Sequence, residues 1–357
     1  MTSTRSNLYV FVMAGGSGER FWPLSRTTTP KHLLKLFSEQ SLLQQTVARL
    51  ENLVSKNQTF ILINEAQREN TVSDLSSCLD EKQIICEPAK RDTAPAASLA
   101  TALAFAQNKE AVVVLLPADQ LIKNIRAFQS NINDAAKIAE NSEALITLGI
   151  PPTFASTGFG YLEKGEILPI GPEGTSFFNV SRFVEKPNKS EAEMYFDSGK
   201  FQWNAGIFVW KAQSFLKIAE EHQTELANFI KAFPQDNVAS YLDKNFSNLP
   251  KISVDYAIME KASEVIMGQA DFDWDDVGAW NALTPHLPKD ENENVSRGLT
   301  ATHDSKGNIL FSTGRTIAAC GIENMIVVET PDAVLICPKD RAQEVKKILP
   351  SLPDSVL

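Results

Sequence analysis

The sequence has few of the residues that hold zinc or form disulfide frameworks. Among its 357 residues are four cysteines and four histidines. The cysteines show no CxxC spacing, so the sequence indicates neither a zinc site nor a disulfide framework. We expect reduced, mostly buried thiols at all four positions, which are Cys78, Cys86, Cys320 and Cys337.

Positive charge is also scarce. The 34 Lys and Arg residues are outnumbered by 44 Asp and Glu residues, and the formal net charge is -10. This balance argues against general binding to nucleic acid backbones, so any phosphate site must be local. No apolar run reaches the roughly 18 residues of a membrane span, and glycines interrupt the start "MTSTRSNLYVFVMAGG" too soon for a signal peptide. We therefore expect no nucleic acid partner, no membrane partner and a cytoplasmic location.

The first half of the sequence alternates between two kinds of apolar pattern. Continuous runs typical of buried parallel strands are "LYVFVMAGG", "TFILIN", "AVVVLLPAD" and "ALITLGI". Helical spacing lies between them in "SLLQQTVARLENLV" and "APAASLATALAFAQN". The alternation predicts an α/β fold with a Rossmann-like, mixed but mostly parallel sheet and helices on both faces. Ligands of such sheets bind beyond the carboxyl ends of the strands.

The second half of the sequence has short strand segments in place of this alternation. The pieces "GFGYLEKGE", "SFFNVSRFVEKP" and "FQWNAGIFVW" predict strands that extend the sheet and form a lid over a pocket. The polar stretch "TPHLPKDENENVSRG" predicts a boundary, which divides the chain into residues 1–288 and 289–357. Short β-branched strands and a closing helix, with Asp340 as its N-cap, predict a small β-rich second domain. Its exposed strand edges lead us to expect a homodimer.

The segment "MAGGSGERFWPLSR", residues 13–26, is a glycine-rich loop that follows the first strand. It fails the dinucleotide pattern GxGxxG because Phe21 stands at the third glycine, and it fails the Walker pattern because Arg20 occupies the second glycine position. A concave set of backbone N–H donors remains, with Arg20 as a forked donor and Lys31 as a point charge. The loop therefore indicates a local phosphate site. Since Lys31 follows Pro30 in a loop, we expect it outside the core.

Further motifs follow in a fixed order, and together they carry a resemblance to a known family. They are "PKHLLKLF" at 30–37, "EPAKRDTAPA" at 87–96, "LLPADQLI" at 115–122, "FVEKP" at 183–187, "WNAGIFVW" at 203–210, "SVDYAIMEKA" at 253–262 and "FDWDDVGAW" at 272–280. The chain resembles the sugar-nucleotide pyrophosphorylases, which are nucleotidyltransferases, and "RFWPLSR" is similar to their mannose-1-phosphate guanylyltransferase branch. The resemblance implies a GT-A-like catalytic domain and a C-terminal domain like a β-helix. It also implies GTP and mannose 1-phosphate as substrates, and GDP-mannose and pyrophosphate as products.

The resemblance also implies roles for individual residues. It gives catalytic roles to Arg20, Lys31 and Lys186, and it implies that Asp119 and Asp276 hold Mg²⁺ or another divalent cation. Contacts to the nucleotide are implied for Ala14, Gly15, Gly16, Ser17, Gly18, Glu87, Pro88, Arg91 and Thr93. Contacts to the sugar are implied for Gly160, Tyr161, Glu185, Asn204, Gly206 and Asp255.

Several alternatives stay open from the residues alone. Asp119 and Asp276 could cap turns, Asp273 and Asp275 crowd the stretch around Asp276, and Asp255 could cap a helix. Which residue reads the base is open as well. Adjacent residues on a strand point to opposite faces, so we do not expect Glu185 and Lys186 to pair directly, although both could be plain surface charges.

Two positions depart from the family pattern. His32 stands where glutamine is common, which we interpret as a local variation, and Gln120 replaces a histidine.

The alternative functions are those of a nucleotidyltransferase for another sugar or nucleotide and of a regulatory homologue without catalysis. The regulatory homologue is disfavoured because a protein that only binds need not keep the charged residues Arg20, Lys31, Asp119, Lys186 and Asp276. A nicotinamide-dependent oxidoreductase is disfavoured by Phe21.

Overall fold

The structure is a computed structural model that describes residues 6–357. Residues 1–5, which begin the segment that we expect not to be a signal peptide, lie outside the described residues. Within residues 6–357, no helix combines the length and the apolar character that a bilayer crossing requires.

A nine-stranded sheet forms the centre of the molecule. In chain order its strands are β1 Leu8–Met13, β2 Thr59–Asn64, β3 Ile84–Glu87, β4 Val112–Pro117, β5 Leu145–Ile150, β6 Tyr161–Ile167, β7 Phe177–Val184, β8 Phe201–Lys211 and β9 Val265–Gln269. Their spatial order is β3-β2-β1-β4-β8-β5-β9-β7-β6. Seven strands run in one direction, whereas β7 and β8 run in the other. The predicted mixed, mostly parallel sheet is confirmed.

Eight α-helices accompany this sheet among the described residues. They are α1 Leu42–Ala48, α2 Arg68–Leu75, α3 Thr93–Gln107, α4 Ile125–Asn141, α5 Lys189–Ser198, α6 Ala212–His222, α7 Thr224–Lys231 and α8 Val238–Asn245. Side chains of β1 alternate between two apolar clusters, with Val10 in one and Phe11 in the other. The first cluster includes Phe128 of α4, and the second includes Leu99 of α3 and Phe215 of α6. Helices therefore cover both faces, as the apolar runs predict.

The position of β8 corrects the prediction that its segment extends the sheet at the pocket as a lid. β8 lies in the middle of the sheet, antiparallel to both β4 and β5. On its β4 side, Phe208 lies opposite Leu115 of β4, while Trp203 lies opposite Tyr161 of β6. Residues 205–207 thus lie between the end of one neighbour and the start of the other. This interruption opens the sheet where parallel strands end.

The C-terminal part consists of short strands in stacked turns. They are β10 Val295–Arg297, β11 Thr300–His303, β12 Ile309–Ser312, β13 Ile317–Cys320, β14 Met325–Glu329 and β15 Val334–Pro338. One sheet has the order β10-β12-β14-β15, and β11 pairs with β13. All these pairs are parallel except β14 with β15. Asn308 links successive turns, because its Nδ2 donates to Asn294 Oδ1 (2.9 Å) and its Oδ1 accepts from Met325 N (2.8 Å). The predicted β-helix-like character is confirmed.

A 3₁₀ helix, Lys339–Lys347, closes this part. Its N-cap position is occupied by Pro338, and Asp340 lies in the first turn. The prediction that Asp340 is the N-cap is therefore wrong. The extended backbone of Pro338 continues β15 directly into the helix, which leaves no capping turn for the aspartate.

The two parts of the chain share one apolar cluster. The Trp280 ring lies between Phe21 of the glycine-rich segment (5.3 Å between ring centroids) and Phe311 of β12 (5.4 Å). Val345 of the closing helix belongs to the same cluster. Trp22 Nε1 also donates to the carbonyl of Val356 (2.8 Å). The division at residues 288 and 289 stays a prediction, but the residues on either side of it pack into a common core.

The four cysteines are free thiols, as predicted. The prediction that most are buried is wrong, because Cys78, Cys86 and Cys337 are half-buried and Cys320 is exposed. Cys337 lies on β15, a strand at the edge of its sheet, and Cys320 ends the two-stranded pair. Edge positions in such short strands leave a side chain partly open to solvent.

Candidate active site

Two adjoining cavities lie beyond the carboxyl ends of β1 and β4. The first, which we call the loop cavity, has a volume of about 400 Å³ and is lined by residues 17–21, Lys31, Pro117, Asp119, Gln120, Asp276, Gly278 and Lys346. The second, which we call the β8 cavity, has a volume of about 240 Å³. Its lining includes Met13, Thr93, Gly160, Glu185, Asn204, Gly206, Asp255 and Trp274. Pro117, Gln120 and Asp276 line both, so one ligand can reach into each.

The glycine-rich loop has a shape that only glycine allows at one point. Gly18 has φ +66° and precedes a single 3₁₀ turn, Glu19–Phe21. A Cβ on Gly18 would lie 2.6 Å from the backbone nitrogen of Lys31. The loop and the Lys31 segment therefore pack backbone against backbone, a close approach that excludes other residues. This contact brings the ammonium group of Lys31 beside the loop.

Lys31 is buried, which corrects the expectation that it lies outside the core. Its Nζ lies 2.9 Å from Asp119 Oδ2 and donates to the backbone oxygen of Asp276 at 2.6 Å. Because a buried ammonium needs such partners, these two contacts explain why the lysine folds inward after Pro30. The Phe21 ring, 5.9 Å from Nζ, closes the other side.

Asp119 and Asp276 meet at the loop cavity. The Asp119 side chain is 40% exposed, although it pairs with Lys31. The pKa of Asp276 is raised to about 6, chiefly by burial and also by the charges of Asp275 and Asp119, against the opposing charges of Lys31 and Arg20. In residues 6–357 no group of three or more His, Cys, Asp or Glu side chains is placed to hold a metal ion. The site therefore offers this carboxylate pair, not a closed metal cage.

The neighbouring aspartates have structural roles. Asp273 Oδ1 accepts hydrogen bonds from the backbone nitrogens of Lys123 and Asn124, at 3.0 and 2.7 Å. Asp275 Oδ2 lies 2.7 Å from His286 Nε2, and its Oδ1 accepts from Val277 N. Val277 has φ +47°, a strained backbone for a β-branched residue. This turn separates the carboxylates, and only Asp276 of the three lines the cavities.

Polar groups in the β8 cavity hold one another in place. Asn204 Nδ2 donates to Asp255 Oδ1 (3.1 Å), while its Oδ1 accepts from Thr147 Oγ1 (2.8 Å) and from Gly206 N (3.1 Å). Burial, followed by the charge of Glu185, raises the pKa of Asp255 to about 7. Asp255 is the first residue of a π-helix, Asp255–Met259, whose N-cap is Val254. The alternative that Asp255 caps a helix is therefore not what the structure has.

Glu185 and Lys186 do pair, contrary to the strand argument. Lys186 Nζ donates to Glu185 Oε1 at 2.6 Å. β7 ends at Val184 and Lys186 has φ +46°, so the alternation of a strand no longer applies to the two side chains. Burial by itself would lower the pKa of Lys186, but the hydrogen bond and charge of Glu185 raise it above its ordinary value. The ammonium stays charged beside Glu185, which lines the β8 cavity, whereas Lys186 itself lines neither cavity.

Three predicted contact residues have their groups engaged elsewhere. The Ala14 nitrogen donates to the Leu62 carbonyl (2.8 Å), so it is not a free phosphate donor. The Tyr161 side chain is fully buried, and its hydroxyl accepts from Ser156 N (2.8 Å), so only the neighbouring Gly160 lines the β8 cavity. The Arg91 guanidinium donates to the Ser247 carbonyl. In each case a sheet or core contact takes the group that the motif offers.

The remaining predicted nucleotide residues lie around the loop and the end of β3. Gly16 and Pro88 are exposed, and Thr93 lines the β8 cavity with its Oγ1 accepting from Val254 N (2.9 Å). Glu87 ends β3, with Oε2 within 3.4 Å of the point where a Cβ on Gly15 would lie. Its Oε1 is buried without a hydrogen-bond partner among residues 6–357, and burial raises its pKa to about 8.

Sequence reasoning did not assign a role to two cavity residues. Gln120 Nε2 donates to the Ala205 carbonyl (2.6 Å), which ties the end of β4 to β8 across the opening of the sheet. Lys346 reaches the loop cavity from the closing 3₁₀ helix. The replacement of the family histidine by Gln120 could have identified that position as a cavity residue. Nothing in the local sequence distinguishes Lys346 from the basic residues around it.

Comparison with known proteins defines the class. The model of the family described as nucleotidyl transferase matches residues 9–293, and a second model, MannoseP isomerase/GMP-like beta-helix domain, matches residues 300–352. The first range holds the β8 cavity and all of the loop cavity except Lys346, and the second holds Lys346 and the strands β11 to β15. The chain belongs to the nucleotidyl transferase family.

Individual relatives narrow the comparison. The chain is 38% identical to mannose-1-phosphate guanylyltransferase 2 of Escherichia coli, over 96% of this chain and 72% of that protein. It is 36% identical to mannose-1-phosphate guanylyltransferase of Klebsiella pneumoniae, over 94% and 72%. A crystal structure described as mannose-1-phosphate geranyltransferase from Thermus thermophilus superposes with a TM-score of 0.86 at 32% identity, covering 97% of this chain and 99% of that one.

Proposed function

We propose that the chain transfers GMP from GTP to mannose 1-phosphate and releases GDP-mannose and pyrophosphate. The observation that carries the proposal is the meeting of the two cavities at Pro117, Gln120 and Asp276. A cavity with basic groups and a cavity with hydroxyl-binding groups meet where the α-phosphate would react. The relatives named as mannose-1-phosphate guanylyltransferases support the choice of substrates.

In this reaction a phosphate oxygen of the sugar phosphate attacks the α-phosphorus of GTP. The bond from the α-phosphorus to the bridging oxygen of the β-phosphate breaks, and pyrophosphate leaves with the electron pair. A phosphate oxygen needs no general base at neutral pH. The protein must bring two anions together and neutralise charge. Arg20 and Lys31 would do this for the triphosphate, and Lys186 for the sugar phosphate.

The loop would bind the triphosphate through the backbone N–H groups of Gly15, Gly16, Ser17 and Gly18, none of which donates to a backbone carbonyl among residues 6–357. Glu87 is the residue we propose to read the base. Guanine presents N–H groups at N1 and N2, and the unpartnered Oε1 of Glu87 is an acceptor beside Gly15. Pro88 and Thr93 would add contacts along the same segment, while Arg91 would hold that segment against Ser247.

The sugar would lie in the β8 cavity. Asn204, Glu185 and Asp255 supply both donors and acceptors there, which suits several hydroxyl groups at once. Gly206 has φ +68° and no side chain, which would let the sugar approach the backbone there, while the missing side chain at Gly160 leaves room for the Glu185 carboxylate.

A divalent cation fits the carboxylate pair. Asp119 faces the loop cavity and the half-buried Asp276 lies near other acids, so both would gain from a bound cation. These two residues would hold Mg²⁺ or another divalent cation. When bound, the ion would screen the repulsion between the phosphates and make the α-phosphorus more electrophilic.

The test is pyrophosphate release by the purified chain with Mg²⁺, using GTP, ATP, UTP and dTTP, each with mannose 1-phosphate, glucose 1-phosphate and a heptose 1-phosphate. We expect GTP with mannose 1-phosphate to have the highest kcat/KM. Turnover with UTP equal to that with GTP would contradict the assignment of guanine as the base. If no pair of nucleotide and sugar phosphate releases pyrophosphate, the result would favour a regulatory homologue without catalysis. A higher kcat/KM with another sugar 1-phosphate would identify that sugar as the substrate.

Location and assembly remain predictions that accompany the function. Four free thiols fit the reducing cytoplasm, where nucleoside triphosphates are available. Homodimer formation is supported by β15, an edge strand with exposed apolar side chains at Val334 and Ile336. Sedimentation equilibrium would measure the assembly directly.

A further inference from the structure

A lysine from the C-terminal β-helix part lies in the loop cavity. Lys346 lines this cavity together with Arg20, Lys31, Asp119 and Asp276, although it is more than 60 residues beyond the last of them. The rest of the cavity belongs to the nucleotidyl transferase part. The β-helix part therefore contributes a charged group to the candidate active site itself.

The position of Lys346 is fixed by its neighbours in the helix. Ala342 and Val345 are buried in the cluster that also contains Phe21 and Trp280. This 3₁₀ helix packs directly on the Glu19–Phe21 turn of the glycine-rich loop. Since the backbone is held on one side by the core, the next residue along points its stem toward the loop cavity.

The ammonium group of Lys346 is available to a ligand. The side chain is exposed, and it forms no ion pair with any residue that the structure describes. Lys347, the next residue, lies 3.5 Å from Glu344 Oε2. The two adjacent lysines thus differ in two respects: Lys347 has an acidic partner on its own helix, and only Lys346 lines the loop cavity.

The charges that line the loop cavity leave it short of positive groups for a triphosphate. Without Lys346 its ionisable lining is Arg20 and Lys31 against Glu19, Asp119 and Asp276. Lys31 is already engaged by Asp119 at 2.9 Å. A triphosphate brings several further negative charges into this space, and a compact ammonium group is a suitable partner for them.

The geometry also indicates which phosphates are involved. Lys346 lines the loop cavity and not the β8 cavity, where the sugar phosphate would bind. In an in-line displacement the leaving group lies on the side of phosphorus opposite the attacking oxygen. A group confined to the loop cavity is therefore on the side of the leaving pyrophosphate.

We propose that Lys346 of the β-helix part binds the β- and γ-phosphates of the nucleoside triphosphate and stabilises the pyrophosphate that leaves. The inference rests on the proposed nucleotidyl transfer, and it deepens it by making the C-terminal part a component of the catalytic centre. The chemistry recognised is a pyrophosphate group, whichever base the nucleotide carries.

The experiment compares Lys346→Gln with Lys347→Gln as the matched control, and Lys346→Arg as the conservative variant. Forward kinetics give KM for the nucleotide and for the sugar phosphate, and the reverse reaction gives KM for pyrophosphate. Lys346→Gln should raise KM for GTP and for pyrophosphate by roughly tenfold or more, the effect of losing one charged hydrogen bond. KM for the sugar phosphate should stay within about twofold, Lys347→Gln should resemble the wild type, and Lys346→Arg should recover most of the loss.

Calorimetric binding of magnesium pyrophosphate to the same proteins separates this inference from the proposed function. If the wild type turns over and Lys346→Gln matches it in both constants and in pyrophosphate binding, the inference alone is overturned. Equal increases in all three KM values would also overturn it, because they indicate a structural effect. If the wild type neither reacts nor binds pyrophosphate, both proposals are lost.

Discussion

Lys31 illustrates, at the scale of single residues, how partners decide where a charged side chain lies. The sequence around Pro30 predicts a solvated loop, yet the ammonium group is buried between Asp119 and the Asp276 carbonyl. Those partners come from segments about 90 and 245 residues away. No local pattern contains the information that three such segments meet.

Replacement of Lys31 tests this arrangement. Lys31→Met keeps most of the stem but removes the charge and the donor. We expect kcat to fall by roughly 100-fold or more. The free energy of unfolding should fall by about 1–2 kcal/mol, because the hydrogen bond to the Asp276 carbonyl is lost.

Steady-state kinetics and urea unfolding of the same preparations measure both effects. Lys35→Met is the control, because Lys35 is exposed on the same segment. A Lys31→Met protein with normal kcat would remove this residue from the catalytic set.

Glu87 gives a prediction of pH dependence. Burial raises its pKa from the ordinary 4.5 to about 8 in the folded state. Between these values the unfolded chain loses the proton while the folded chain keeps it, so the contribution of Glu87 to stability is lost as the pH rises. Glu87→Gln has no such proton, and its stability relative to the wild type should increase by about 1–3 kcal/mol between pH 5 and pH 8.

Urea unfolding at several pH values, without nucleotide, measures this difference. Glu39→Gln serves as the control because Glu39 is exposed. A difference between Glu87→Gln and the wild type that stays constant with pH would mean that Glu87 titrates normally in the folded protein.

At the scale of elements, the sequence identifies strands more readily than their order. The apolar runs of β1, β2, β4 and β5 are visible because both faces of these strands are buried. β3 is short and only partly buried, so it gives no comparable run. The central place of β8 depends on long-range pairing with β4 and β5, which alternation of residues cannot reveal.

Three glycines provide a graded test of the elements that form the site. Gly16→Ala should change stability by less than about 0.5 kcal/mol, because no heavy atom lies within 4 Å of the added Cβ. Gly206→Ala should cost about 1 kcal/mol, since φ is +68° but the nearest atom is 3.7 Å away. Gly18→Ala should cost most, because a positive φ is combined with a clash against the Lys31 backbone.

Thermal and urea unfolding of the three variants give the order. The same ranking should hold for KM of GTP between Gly16→Ala and Gly18→Ala, since the Gly18 contact positions Lys31. A Gly18→Ala protein as stable as Gly16→Ala would show that the loop does not pack against Lys31 as described.

At the scale of the whole molecule, the two parts share a core. Phe21, Trp280 and Phe311 pack in succession from the glycine-rich segment to β12. The sequence predicts a separate β-rich module, because the composition changes near residue 288. Composition cannot report that the apolar faces of both parts cover one another.

A shared core predicts one cooperative unfolding transition. Phe311→Ala should lower stability by about 3 kcal/mol, the usual cost of removing a buried aromatic side chain, and it should lower kcat as well. Differential scanning calorimetry should give one peak that moves as a unit. Ile336→Ala is the control, because Ile336 is 68% exposed on β15. Two peaks, with only one displaced by Phe311→Ala, would contradict the shared core.

Local sequence patterns were enough to predict the class of fold, the glycine-rich loop and many of the motif residues that line the two cavities, because strand burial, glycine conformation and charged residue types leave such patterns. Tertiary structure alone decided that Lys31 is buried, that Glu185 pairs with Lys186, that the Tyr161 side chain lies in the core, and that Lys346 reaches the loop cavity. These facts depend on contacts between distant segments, and the energy of burying a charge or a ring is set by whichever segment the fold brings beside it.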